Sequence, residues 1–227
     1  VSSNNPSQGE SSFKTIATQE DLLDYPAYYY NDNIFGGAIW DMVEFNNKLY
    51  FPAFDPVYGN ALYSTDGTAA GTQLVKDLFP GNSPNVANFT LFKKSIFFSA
   101  DSSGFNSVYR TDGTVLGTVK IFNTGKPNTT VSQMVAASKY LYAFYYDADS
   151  SRYELWVSDG TTANSYKIQN LTSLYPYCAT VGNTVFFTGQ DPVHGDELWK
   201  ASPVAGSAQM VKDVYPGTQS SSIAGLR

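Results

Sequence analysis

The sequence predicts an all-β fold, a β-propeller of four-stranded antiparallel blades. Three observations predict it: a repeat of roughly 45 residues, a composition that suits short strands, and the lack of any sustained helical periodicity. Of the 227 residues, 17 are Tyr and 15 are Phe, which favour strands, while 18 Gly and 11 Pro favour tight turns. Four-stranded units repeating at roughly 40–50 residues are typical of propeller blades.

Four apolar segments mark the repeat, and a second set follows each of them after about a dozen residues. The first set is Lys48-Leu49-Tyr50-Phe51, Ser95-Ile96-Phe97-Phe98, Tyr140-Leu141-Tyr142-Ala143 and Thr184-Val185-Phe186-Phe187. The second set is Ala61-Leu62-Tyr63-Ser64, Ser107-Val108-Tyr109-Arg110, Glu154-Leu155-Trp156-Val157 and Glu197-Leu198-Trp199-Lys200. In the first three copies an Asp-Gly-Thr turn comes next, at Asp66, Asp112 and Asp159. These aspartates are 46 and 47 residues apart (112 − 66 and 159 − 112), which fixes the period.

Each unit is expected to hold four strands, A to D. In the first unit we predict strand A at 38–45, B at 48–53, C at 61–65 and D at 73–79. Strand B is nearly continuous in apolar residues, as in a strand that neighbouring sheets cover on both faces. Asp-Gly supplies the turn after strand C because Gly adopts positive φ without a steric penalty. The residues expected to be largely buried are Leu49, Phe51, Ile96, Phe98, Val185 and Phe187.

The repeat also sets the predicted boundaries. Residues 37–84, 85–130, 131–174 and 175–218 are four blades, and 219–227 begin a fifth. Residues 1–36 have the composition of an N-terminal linker, with a candidate closing strand at 13–16. Because four blades rarely close a ring alone, we expect this chain to be part of a larger propeller.

The segment Glu154-Leu155-Trp156-Val157-Ser158-Asp159-Gly160-Thr161, together with residues 66–77, resembles a known repeat, ELWVSDGTxxGTxLVKDIxPG. That repeat occurs in tandem in many bacterial surface and secreted proteins. The resemblance covers residues 37–227 and departs from the motif at Ser202-Pro203 and at Asn164-Ser165. It implies a propeller-like, exported and non-enzymatic module, joined to other domains of the same polypeptide.

Several functional classes are disfavoured by the composition. A net charge of −6 is opposite in sign to a phosphate-binding surface, so we expect no nucleic-acid partner. No run of 18 apolar residues occurs, so we expect no membrane span. His194 and Cys178 are the only histidine and the only cysteine, which leaves no multi-histidine or multi-cysteine metal site. We therefore predict no catalytic residues, no metal and no cofactor.

A ligand, if there is one, is expected on the face where the loops between strands B and C and between strands D and A open. These loops vary between copies, and variable loops on a rigid scaffold are common recognition sites. The candidate ligand-binding residues are Tyr58, Phe105, Tyr175, Tyr177 and His194. Their flat side chains suit a glycan or an extended peptide. The alternative, that these loops are solvated connections without a partner, stays open.

The function predicted first is a non-enzymatic binding or scaffolding propeller of an exported or cell-surface protein, with a protein or glycan ligand. A degenerate or incomplete sialidase-like propeller is one alternative, because the Ser-x-Asp-x-Gly pattern is similar to the Asp-box turns of sialidases. Against it, the chain has only three arginines, too few for the guanidinium cluster that holds a carboxylate in such a site. A purely architectural spacer is the other alternative.

Overall fold

The computed structural model describes residues 41–102, 104–223 and 226, and within these ranges it contains sixteen β-strands and no helix. The predicted linker at 1–36, with its strand at 13–16, lies outside the described residues. Because the described residues form no helix, none of them belongs to a helix that could span a membrane. The all-β prediction is confirmed.

The strands fall into four consecutive runs, which we call units 1 to 4. Unit 1 contains β1 (Val43–Phe45), β2 (Lys48–Asp55), β3 (Gly59–Thr65) and β4 (Gln73–Leu74). Unit 2 contains β5 (Ala87–Phe92), β6 (Ser95–Ser102), β7 (Phe105–Thr111) and β8 (Val119–Asn123). Unit 3 contains β9 (Thr129–Ala136), β10 (Leu141–Asp147), β11 (Arg152–Ser158) and β12 (Ser165–Leu171). Unit 4 contains β13 (Leu174–Val181), β14 (Thr184–Asp191), β15 (Gly195–Ala201) and β16 (Gln209–Lys212).

Within each unit, successive strands pair antiparallel in chain order. Units 1 and 4 are separate four-stranded sheets, whereas units 2 and 3 together form one eight-stranded sheet. A single parallel pair, Phe105 with Thr129, joins β7 to β9 and links those two units. Every other strand pair in the described residues joins two strands of the same unit.

Unit 1 has a shorter last strand than the sequence predicts, since β4 covers only Gln73–Leu74 of the expected 73–79. After β4, the Asp77 carboxylate accepts a hydrogen bond from the Phe79 N–H at 3.2 Å. Asp and Asn side chains compete in this way with ladder hydrogen bonds and favour a turn. Of the first strand predicted at 38–45, residues 38–40 lie outside the described residues, 41 and 42 are not in a strand, and Val43–Phe45 pair with β2.

The hydrophobic core consists of three clusters, each between two consecutive units. Alternation along a strand sends neighbouring side chains to opposite faces. In β10, Leu141, Ala143 and Tyr145 pack into a cluster with Phe97 of unit 2. Tyr142 and Phe144 face the other way and join a cluster with Phe187 of unit 4. The third cluster lies between units 1 and 2. Of the predicted core residues, Phe51, Ile96, Phe98, Val185 and Phe187 are buried, whereas Leu49 is only half-buried.

The Asp-Gly-Thr segments form turns between the third and fourth strands. In unit 2, Asp112 Oδ1 accepts hydrogen bonds from the Thr114 N–H at 2.9 Å and the Thr114 hydroxyl at 2.7 Å. A Cβ at Gly117 would lie 1.9 Å from Asp112 Oδ1, so only glycine leaves room for this carboxylate. In unit 3, Asn164 takes the place of that glycine, and its amide donates to Asp159 Oδ2 at 2.8 Å. Where unit 2 has a glycine in close contact with the aspartate carboxylate, unit 3 therefore has an asparagine that is hydrogen-bonded to it.

Candidate functional site

The turns that join the second and third strands of each unit contain or follow an aspartate, and two of the predicted ligand-binding residues lie in them. In unit 1, Asp55 Oδ1 accepts the N–H groups of Val57 and Tyr58 at 2.7 and 3.1 Å. In unit 4, Asp191 Oδ1 accepts those of Val193 and His194, both at 2.8 Å. These bonds are Asx-turns, in which the side chain replaces a backbone acceptor.

Tyr58 and His194 occupy the same place in these two hairpins, and both are partly exposed. The His194 ring Nδ1 lies 2.8 Å from Asp191 Oδ2. The hydrogen bond to Asp191 raises the pKa of His194, and the negative charges of Asp191, Asp213 and Glu197 act in the same direction. The histidine is therefore fixed to its own hairpin by an ion pair when it is protonated.

The other predicted residues are placed differently. Phe105 is the first residue of β7, and 36% of its surface is exposed. Tyr175 and Tyr177 belong to strand β13, which corrects the prediction that they lie in a connecting loop. Pro176 between them is compatible with this placement, because β13 is an edge strand of its sheet and proline is tolerated on edge strands. Among the described side chains, no hydrogen bond or ring contact joins Tyr58, Phe105 and His194. These three residues lie in three different units, and their role as a ligand site stays a prediction.

A cluster of charges that the sequence analysis did not single out lies on unit 3 and on the connection that leads into it. Lys126, between β8 and β9, places Nζ 2.6 Å from Glu154 Oε1 and 3.2 Å from Asp147 Oδ2. Lys167 Nζ approaches the same Glu154 oxygen at 3.5 Å, and the Trp156 indole N–H donates to Glu154 Oε2 at 2.9 Å. Both carboxylates are almost fully buried, whereas the side chain of Lys126 is 48% exposed.

The electrostatics of this cluster favour the charged forms of Glu154, Asp147 and Lys126. Burial acts to raise the pKa of Glu154, but the hydrogen bonds from Lys126 and Trp156 and the positive charges of Lys167 and Lys126 outweigh it and leave the pKa below its usual value. Burial and the Lys126 hydrogen bond compete in the same way at Asp147, whose pKa is also lowered. Hydrogen bonds to Glu154 and Asp147 raise the pKa of Lys126. Buried charges are stable only when paired in this manner.

An open cleft of about 370 Å³ adjoins the cluster. Its lining includes Lys126, Asp147, Arg152, Glu154 and Asn170. The two acids already accept hydrogen bonds from protein donors, so the cluster holds the connection between units 2 and 3 in place. The one sequence signal for this charged cluster was Glu154, an acid in the otherwise apolar strand segment Glu154-Leu155-Trp156. A carboxylate buried in such a strand requires a hydrogen-bonding or charged partner.

Glu197 occupies the same repeat position in unit 4 as Glu154 in unit 3, with different partners. Its carboxylate is fully buried and accepts hydrogen bonds from the N–H groups of Val214 and Tyr215, at 3.2 and 3.5 Å, and from the Ser221 hydroxyl. These donors belong to the segment that follows β16, so Glu197 attaches this segment to β15. Burial acts to raise the pKa of Glu197, but these hydrogen bonds lower it overall.

The described part of the chain contains no group of three or more metal-ligating side chains. The recorded side-chain partner of the His194 ring is Asp191, and no described serine or cysteine bonds to it. Cys178 is buried, and burial raises its pKa to about 12, so its reactive thiolate form is scarce near neutral pH.

Comparison with known proteins identifies the fold. No family model and no curated protein sequence matches this chain. Solved structures match, among them a puromycin hydrolase, with a TM-score of 0.54 and 13% identity over 76% of this chain and 28% of that one. A puromycin-hydrolyzing peptidase of Mycobacterium tuberculosis matches with a TM-score of 0.52 and 11% identity over 77% of this chain and 29% of that one. The chain thus spans less than a third of the length of these proteins, and the matched parts are β-propeller domains.

These matches confirm the β-propeller fold and correct the functional prediction. The prediction of a binding or scaffolding module is wrong, because the matching propellers belong to peptidases, although no catalytic domain is part of the match. The physical reason is that the repeat encodes how units pack on one another. Packing residues do not report which chemistry the remainder of a polypeptide carries, since one fold supports many functions.

Proposed function

We propose that this chain is part of the β-propeller domain of a larger peptidase, in which a domain outside these 227 residues carries out hydrolysis. The observation that carries the proposal is the superposition on the propeller domains of two puromycin-hydrolysing proteins. Only those domains match, and the match includes no catalytic domain. In this proposal the chain forms part of the propeller domain that accompanies the catalytic domain, and the hydrolytic residues lie outside it.

The contacts of the described residues are those of a rigid propeller domain. Consecutive units share buried apolar clusters, so one unit cannot move without disturbing the next. The Lys126 cluster and the Glu197 cluster hold the connections that follow units 2 and 4. The finer architecture that we propose is a series of four-stranded blades of roughly 45 residues, of which units 1 to 4 are consecutive members. Export to the cell surface, and a glycan or protein partner on the hairpin face, stay predictions.

The test compares the complete gene product with the 227-residue chain. Both are assayed for hydrolysis of puromycin and of short chromogenic peptides. We expect hydrolysis by the complete product, none by the chain alone, and full activity in a His194→Gln variant of the complete product. Hydrolysis by the 227-residue chain, or a complete product that hydrolyses neither class of substrate, would contradict the proposal.

A further inference from the structure

The first observation concerns the side of each unit that packs against the unit after it, which we call its forward face. Two repeat positions form the centre of this face, one in the second strand and one in the third. In units 1 to 3 they hold Tyr50, Phe97, Tyr142, Leu62, Val108 and Leu155, all of which are buried in the clusters shared with the following unit. In unit 4 the same positions hold Phe186 and Leu198, which are both apolar and only partly buried.

At the edges of the forward face, the difference in exposure between unit 4 and the earlier units is larger. Phe92, at the end of the first strand of unit 2, is 5% exposed, whereas its counterpart Val181 in unit 4 is 69% exposed. Val75, which follows β4 in unit 1, is 5% exposed, whereas its counterpart Val211 is 44% exposed. The forward face of unit 4, formed by Val181, Phe186, Leu198 and Val211, is thus apolar and open in the described structure. Exposed apolar patches of this kind mark interaction sites.

A polar contact of the inter-unit interface has an unused counterpart on this face. Lys76 of unit 1 donates from Nζ to the Thr118 carbonyl oxygen of unit 2 at 2.7 Å. Lys212 occupies the same repeat position in unit 4, next to Val211. It is exposed, and no acceptor is recorded for it among the described residues.

The segment after β16 follows the course of the connection between units 1 and 2. There, the Asn60 N–H donates to the Ser83 hydroxyl oxygen at 2.9 Å, and the Val86 N–H donates to the Asn60 carbonyl oxygen at 3.4 Å, immediately before β5 begins. After unit 4, the Asp196 N–H donates to the Ser220 hydroxyl oxygen at 3.1 Å. The Ser221 N–H then donates to the Asp196 carbonyl oxygen at 3.0 Å. Ser220 and Ser221 therefore contact unit 4 at the place where Ser83 and Val86 contact unit 1.

From these observations we infer that the forward face of unit 4 is an interface for a further four-stranded unit of the same polypeptide, which follows unit 4 in the chain. The occupant buries Leu198 and Val211 with apolar residues at the repeat positions of Ile96 and Phe98, which cover unit 1. Its turn between the third and fourth strands supplies a carbonyl oxygen to Lys212, as Thr118 does to Lys76. The inference rests on the proposed propeller architecture, and it adds the face, the contacting residues and the kind of partner.

The test measures whether a thiol placed on this face is protected. A Val211→Cys variant is made in the 227-residue chain and in the complete gene product, and its reaction rate with a thiol reagent is compared. Cys178 gives little background, because burial raises its pKa to about 12. The matched control is Val115→Cys, at a 58% exposed position in the turn between β7 and β8.

We expect the rate at position 211 to fall about tenfold or more in the complete product, because a thiol in a packed interface reacts only after local opening. The rate at position 115 should be similar in the two proteins. Equal rates at position 211, or a gene product without residues beyond 227, overturn the inference. A rate that falls with increasing concentration of the 227-residue chain also overturns it, because a second copy then covers the face. Protection is measured without any peptidase assay, so its outcome is independent of hydrolysis.

Discussion

Lys126 Nζ lies 2.6 Å from Glu154 Oε1, and this ion pair connects the segment between units 2 and 3 to the third strand of unit 3. The lysine comes from the connection between β8 and β9, where the connection between units 1 and 2 has Ser83, whereas the glutamate lies inside a strand. The pair therefore fixes the position of unit 3 relative to its incoming chain by a contact that the repeat itself does not provide.

We expect Lys126→Met to lower the free energy of unfolding by about 1–3 kcal/mol, because it leaves the buried Glu154 carboxylate without its shortest hydrogen bond. This loss of stability is smaller than that expected for a fully buried ion pair, because the Lys126 side chain is 48% exposed. Lys167→Met is the matched control, since Lys167 approaches the same oxygen at 3.5 Å. It should have a clearly smaller effect. Urea denaturation measures both variants, and equal effects of the two would refute the assignment.

The same cluster predicts a pH dependence of stability. The folded-state pKa values of Glu154 and Asp147 lie below their usual values of 4.5 and 3.8. The unfolded state therefore binds more protons in acid, and the stability contributed by these groups is present above their usual pKa values and lost as pH falls through the folded ones. The folded-state pKa of Lys126 is raised above 10.5, so its contribution is lost only as pH rises through that raised value.

The stability difference between the unmodified chain and Lys126→Met should accordingly be constant between about pH 6 and 9 and decrease below about pH 4. Urea midpoints measured at several pH values test this expectation. A difference at pH 3 as large as that at pH 7 would show that the lysine stabilises the fold by packing and not by charge.

The turns between third and fourth strands give a third prediction, on Gly117. We expect Gly117→Ala to destabilise the chain by about 1–3 kcal/mol, because the new Cβ would lie 1.9 Å from Asp112 Oδ1 and displace the carboxylate from Thr114. In an Asp112→Ala background the same substitution should have a much smaller effect, because the obstructing carboxylate is gone. A double-mutant cycle followed by thermal unfolding measures the coupling. Additive effects would mean that Gly117 is required for another reason.

The sequence predicted the strand positions and the core through periodicity, which is a local property. Phe98 and Phe187 could be assigned to the core because each lies in an apolar strand that the repeat aligns with the others. Leu49 has the same pattern but is only half-buried, and it lies in unit 1, which has no earlier unit among the described residues to cover it. Burial at the end units of a series is set by neighbours, which the pattern of one unit does not encode.

The charged clusters could not be predicted in this way. Glu154 and Glu197 share the segment Glu-Leu-Trp, yet one is paired with lysines and an indole and the other with backbone N–H groups and a serine. Lys126 precedes Glu154 by 28 residues, and no spacing rule connects them. The pairing follows from the course of the connections between units, and that course became visible only in the structure.

His194 offers the last prediction, because it is the only histidine and gives a single imidazole signal in NMR spectra. Its hydrogen bond to Asp191 raises its pKa above the usual 6.5. We expect a proton NMR titration to give a midpoint above 6.5 in the unmodified chain and one closer to 6.5 in Asp191→Asn. Because the folded-state pKa is the higher one, the contact stabilises the fold fully below pH 6.5 and ceases to do so as pH rises through the folded value. The hairpin of unit 1, with Tyr58 in place of the histidine, allows a matched control: Asp55→Asn removes the equivalent carboxylate charge, keeps an Oδ1 acceptor for the turn and should leave the His194 midpoint unchanged. A midpoint at or below 6.5 in the unmodified chain would show that Asp191 serves the backbone turn alone and does not hold the imidazole.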